Sequence, residues 1–297
     1  MIAISKLVGL AGAPWITQTL TEPSVYLDTW AIRRFAEDPA LGARFRAALL
    51  ARGGTLALSA LSLADFVGLS DPRHTEAAGE FIDSLGASLF FIEFDPFKVR
   101  EREYDVIAGR TRECPAGDCG FLWQFAEPAI YRHQPMGVRA WFAAVHGHRD
   151  KLLTQRDELG TTVFKAIDAL RARATAEPGI RSDMRQPLRG ADRPRATNML
   201  LRVLIADVEA DQALPRNPST GIDLFQSIVP AAYCTYVLID GAWQPRISRT
   251  KEMIASEGFK ARVATAYSGR DDGVERFLGE LEQPALATRA ERTAHAA

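Results

Sequence analysis

The sequence predicts an α/β protein built on a parallel sheet, and three observations point there. Short apolar runs end on Asp or Asp-Pro, helical stretches alternate with them, and a long middle region keeps helical periodicity without any strand signal. The last of these implies a helical insertion in the α/β unit.

Element by element, residues 24–28 read as a strand, followed by helices at 30–37 and 40–52, with Pro39 at a helix start and Gly53-Gly54 as the stop. Residues 55–59 are β-prone and apolar. A short helix over 61–69 follows, and Asp71-Pro72 opens another that runs to Gly86. Residues 88–94 form the next strand, ended by Asp95-Pro96. From about 97 to 215 only helices are expected, with Val163, Ile167 and Leu170 on one face and Leu200, Leu201, Leu204 and Val208 on another. Alternation resumes with a helix at 222–232, a strand at 235–239, a helix near 248–256, a last strand at 259–266 and a closing helix at 272–282. The expected organisation is therefore a core in two parts, 23–96 and 216–284, an insertion at 97–215, and a disordered Ala- and charge-rich tail at 285–297.

Composition narrows the function classes. The chain has 297 residues with a formal net charge of −1, so any nucleic-acid contact needs a local basic patch. Three cysteines cannot form a closed disulfide framework, and no run reaches the ~18 apolar residues that a membrane span requires. A soluble, cytoplasmic protein is expected. Lys6 followed by residues 7–13 resembles a short export signal, but small residues interrupt its apolar part, and it reads instead as a loose lead-in to the first strand, punctuated by Pro23 and Ser24.

The chemistry-bearing pattern is acidic. Val25-Tyr26-Leu27-Asp28-Thr29 delivers a carboxylate to a strand end, and so does Tyr236-Val237-Leu238-Ile239-Asp240. In a doubly wound sheet, ligands bind outside the carboxyl ends of the strands, so residues that finish strands converge however distant they are in sequence. Asp65 lies in an apolar helix after the second strand, and Asp223 lies near the start of the helix that precedes Asp240, where it also fits a helix cap. Four carboxylates at one edge repel one another, and a hard divalent cation such as Mg2+ or Mn2+ relieves that repulsion. Thr29 is placed to orient a ligand carboxylate or a water from behind.

With these four acids in this order, the chain resembles the PIN-domain ribonuclease family. The resemblance rests on the Asp28-Thr29 strand end, the acid at 65, and the pair Asp223 and Asp240, seventeen residues apart. It covers residues 23–95 and 220–268 and implies a three-layer α/β/α PIN-like core. It also implies a metal-dependent ribonuclease in which Asp28, Asp65, Asp223 and Asp240 hold Mg2+ or Mn2+ and a water activated by the ion attacks phosphorus in line. The sequence departs from the family pattern in having Asp rather than Glu at 65, Gly221-Ile222-Asp223 in place of an Asn-Asp pair, Pro230 inside a helix, and the long insertion. A catalytically degenerate PIN-like module that binds RNA or a protein partner is the alternative.

Eight arginines between 171 and 202 face three acids, and Pro and Gly break the run. It reads as an arm that contacts a phosphate backbone through Arg185, Arg189, Arg193 and Arg195. RNA is the expected partner, with an antitoxin-like protein as a further candidate. Cys114, Cys119 and His133 give at most three zinc ligands where a structural site takes four, so the cysteines are read as unliganded. His146 and His148 are two residues apart, on different helix faces, and read as solvated surface.

Overall fold

A computed structural model describes residues 1–6, 14–69, 71–131, 137–189, 196–211, 213–215 and 217–284. In chain order the elements are β1 (Ile2–Lys6), β2 (Pro14–Gln18), β3 (Ser24–Leu27), α1 (Thr29–Glu37), α2 (Pro39–Ala51), β4 (Thr55–Leu58), α3 (Ala60–Val67), α4 (Pro72–Asp83) and β5 (Leu89–Phe91). The middle region supplies α5 (Pro96–Ile107), α6 (Cys119–Tyr131), α7 (Val138–Val145), a 3-10 turn (His146–His148), α8 (Arg149–Ala176), α9 (Pro178–Arg185) and α10 (Ala196–Ala210). The chain closes with α11 (Pro218–Tyr233), β6 (Tyr236–Leu238), α12 (Gln244–Ser256), β7 (Thr265–Tyr267) and α13 (Gly273–Leu281).

Local chemistry explains the helix starts. Asp38, Ser59, Asp71, Asp95 and Asn217 each cap a helix with a side-chain oxygen, and Pro occupies the first turn after four of them, where its missing N–H costs nothing. The strands are short, buried runs, as expected for a parallel sheet covered on both faces. The five parallel strands lie in the order β5-β4-β3-β6-β7. Chain order reverses between β3 and β6, which makes the crevice there a topological switch point.

Alternating side chains divide the core into two clusters. Val25, Leu27, Leu56, Leu58 and Phe91 pack with Phe35, Phe45, Phe81 and Phe277 on one face. Tyr26, Ala57, Phe90 and Val237 pack with residues of α8, α10, α11 and α12 on the other. The result is three layers, α/β/α. Helices between 97 and 215 serve both clusters, because Phe121, Phe125 and Phe142 join the first whereas Val163, Ile167 and Leu204 join the second.

Two expectations need correction, and one element was not expected. The unexpected element is an antiparallel pair, β1 with β2, anchored by the Ile2 N–H donating to the Ala87 carbonyl at 2.8 Å; residues 7–13 between them, read as a loose lead-in, lie outside the described residues. The last strand is confined to β7 rather than spanning 259–266, because its neighbour β6 offers only the three residues Tyr236, Val237 and Leu238 as partners. The helix expected at 222 starts at Pro218, since Asn217-Pro218 is a stronger start signal than Asp223. The tail 285–297 lies outside the described residues.

Candidate functional site

The four acids are brought to the carboxyl end of the sheet by different elements. Asp28 follows β3, and its N–H continues the ladder to the Leu238 carbonyl at 2.8 Å. It also caps α1: its Oδ1 accepts from the Thr29 N–H at 2.7 Å, and its carbonyl accepts from Ala31 and Ile32. Asp240 follows β6 in the same way, with Oδ1 accepting from the Ala242 N–H at 2.7 Å and its carbonyl from Trp243 and Gln244. Both strand-ending acids therefore hold turns and face the crevice. Asp223 lies within α11, five residues past its start, so it is not the helix cap that its sequence context also allowed.

Asp65, on α3, is fully engaged. Its Oδ2 accepts from the Thr29 hydroxyl at 3.2 Å, and its Oδ1 lies 2.5 Å from Nε of Arg156 on α8. Thr29 thus orients a carboxylate of the site. The pair is largely enclosed, with the two side chains 17% and 18% exposed.

Asp28, Asp223 and Asp240 line a small cavity of about 10 Å³ together with Tyr26, Gln226 and Trp243. That is room for about one water-sized particle. Burial pushes the Asp28 carboxyl up to about 7, with the charges of Asp223, Asp65 and Asp240 adding to the effect and the Thr29 N–H opposing it. Burial likewise raises Asp223 to about 6, reinforced by Asp65 and Asp240 and opposed by Arg156 and Trp243. Asp65 is also raised by burial, against the pull of Arg156, Thr29 and the Gln226 amide. Gln226 is only 5% exposed, and its buried Nε2 makes no hydrogen bond of good geometry among the described residues. Below the cavity, the Tyr26 hydroxyl meets Ser62 Oγ at 2.8 Å, and Ser62 meets Ser59 at 2.8 Å.

The donor set is that of a hard cation: carboxylate oxygens, with Arg156 paired to the one on Asp65. The arrangement does not close around one as it stands. Among the described residues, no three Asp, Glu, His or Cys side chains are grouped so as to hold a metal ion, and Asp65 faces Arg156 instead.

Comparisons with protein-family models, with curated proteins and with solved structures each return no match.

The arginines read as an arm are divided by the structure. Arg171 pairs with Glu209 at 2.8 Å and Arg173 with Glu177 at 3.4 Å, both on helical backbone, whereas Arg185 and Arg189 are exposed. Arg193 and Arg195 lie outside the described residues, as does His133. Cys114 and Cys119 carry free thiols, and the Cys119 thiol approaches Glu113 at 3.9 Å. His146 and His148 are exposed; His146 borders a larger cavity of about 750 Å³, with Thr75, Phe142 and Arg149, that none of the four acids lines.

Arg156, Gln226 and Trp243 escaped the reading of the sequence. A signal for Arg156 was present. Residues 156, 160, 163 and 167 share one face of α8, and Gly160, Val163 and Ile167 are buried, so a charge on that face needs a partner.

Proposed function

We propose that this chain is a PIN-like ribonuclease that depends on a divalent metal ion and works at the acidic crevice between β3 and β6. The observation that carries the reading is the convergence of Asp28, Asp223 and Asp240 on one cavity, with two of these carboxyls raised to about 7 and about 6. To hold Mg2+ or Mn2+, these three carboxylates would have to close further on the ion than they do on the cavity, with Asp65 as a fourth ligand once it is free of Arg156. Bound there, the ion supplies charge neutralisation at a phosphoryl oxygen and activation of a water. Asp28 shares its carboxylate with a proton near neutral pH in the ion-free protein, so ion and proton compete for it. Thr29 keeps Asp65 in place, and Tyr26 and Trp243 wall the cavity on its apolar side.

RNA as partner and the cytoplasm as compartment belong to this proposal; among the described residues, no helix is long and apolar enough to cross a membrane. A second reading has an observation of its own. The Arg156–Asp65 pair and the open ligand set favour a PIN-like module that binds RNA or an antitoxin-like protein without cutting.

The deciding experiment is cleavage of a labelled RNA with Mg2+, with Mn2+ and with chelator. Cleavage by the wild type that needs the ion and is lost in Asp28→Asn and Asp240→Asn supports the nuclease. Binding without cleavage in every condition supports the module.

A further inference from the structure

We infer that Arg156 is a built-in counter-ion of the acidic crevice, one that competes with a divalent cation for Asp65 and so sets the affinity of the site. The inference rests on the metal-site reading above and assigns a role to a residue outside the four acids.

Arg156 is placed by backbone packing. α8 is pinned on one side to α3, the helix of Asp65: the Arg149 guanidinium donates to the Gly68 carbonyl at 2.8 Å, and a Cβ on Gly68 would stand 2.8 Å from Leu153. On the other side it is pinned to α11, the helix of Asp223, where a Cβ on Gly221 would stand 2.5 Å from the Gly160 carbonyl oxygen. One helical turn before Gly160, Arg156 is therefore held between the helices that carry two of the four acids.

The pair is close, with Nε 2.5 Å from Asp65 Oδ1, and a cation that takes Asp65 must displace it. The Arg156 guanidinium has a second anchor beside the crevice, with Nη1 3.2 Å from Asp157 Oδ1, and Asp157 is exposed. Release of Asp65 therefore leaves Arg156 with an acidic neighbour in solvent. A divalent cation that takes Asp65 carries twice the charge of the guanidinium it displaces.

The test is Mn2+ binding to the full chain by titration calorimetry, without RNA, for wild type, Arg156→Gln and Arg156→Met, with thermal unfolding in chelator and in Mn2+ as a second readout. Both variants are expected to bind Mn2+ about tenfold or more tightly than the wild type, since a competing charge a few ångströms away is gone. Mn2+ should also raise their Tm by more than it raises that of the wild type. Met keeps the packing of the aliphatic stem should Gln fold poorly. Equal, measurable Mn2+ affinities in all three proteins would overturn the role of Arg156 while leaving the metal site intact. No Mn2+ binding by any of the folded proteins would overturn the metal site, and the inference with it.

Discussion

Gly221 of α11 meets Gly160 of α8 backbone to backbone: a Cβ on Gly221 would lie 2.5 Å from the Gly160 carbonyl oxygen, where no real Cβ sits. This approach joins the middle region to the helix that carries Asp223. Gly221→Ala gains about 1 kcal/mol of helix propensity, but overpacking against backbone costs about 1–3 kcal/mol and has no side chain to rotate away. We expect a lower Tm, by a few degrees. A Tm equal to or above that of the wild type would show that the two helices can separate freely.

Burial of Asp28 and Asp223, reinforced by their acidic neighbours, makes stability fall as pH rises. Asp28 has a folded-state pKa of about 7 against an unfolded value near 3.9. Between those values the folded protein binds more protons than the unfolded chain, so this contribution to stability declines from about pH 4 and levels off above about pH 7. Asp223, raised to about 6, adds a decline that levels off sooner. In chelator, Asp28→Asn should flatten the fall of Tm between pH 4 and 7 and be at least as stable as the wild type at neutral pH. Parallel curves for the two proteins would mean that the Asp28 carboxyl is not raised in the folded protein.

Asp65 and Arg156 should behave as a coupled pair in stability as well as in ion binding. Asp65→Ala leaves a mostly enclosed guanidinium without its closest counter-charge, whereas Asp65→Ala combined with Arg156→Met removes both charges. The double variant is expected to be more stable than the sum of the single changes implies, with a coupling of about 0.5–3 kcal/mol. Urea unfolding of the four proteins measures it, and strict additivity would reduce the 2.5 Å approach to mere proximity. In RNA cleavage, Asp65→Glu should keep part of the activity that Asp65→Ala loses, because a longer arm can still reach an ion through a water-filled shell.

How far the site was legible in the sequence follows from what each signal depends on. Asp28 and Asp240 could be read because each ends an apolar run, and the strand order that places β3 beside β6 makes strand ends converge. The helix starts at Asp71-Pro72 and Asp95-Pro96 were visible for a local reason, a capping side chain before a proline. What failed depended on distant partners. The β1–β2 pair joins residues on either side of a Gly- and Ala-rich stretch, and the length of β7 is set by how few residues β6 presents. Arg156 stands on an apolar face of α8, but only the packing of α8 between α3 and α11 shows which acid it meets. Gln226 had no local signal, because its buried amide stands out only beside the cavity.

The arginine-rich stretch bears on RNA binding rather than on the chemistry of the crevice. Arg171 and Arg173 already have acidic partners, so they contribute little free positive charge, whereas Arg185 and Arg189 project from α9 and the turn after it into solvent. Replacing Arg185, Arg189, Arg193 and Arg195 together with Gln should weaken binding to any RNA sequence. It should also flatten the dependence of affinity on salt, by about 0.7 in the log–log slope for each phosphate that is no longer neutralised on a single strand. Cleavage of fully bound RNA should change little, because neither Arg185 nor Arg189 lines the cavity that Asp28, Asp223 and Asp240 share. The measurement is RNA affinity over a salt series for both proteins. Superimposable curves would assign these arginines to the solvated surface and move the search for the RNA path to the rim of the crevice itself.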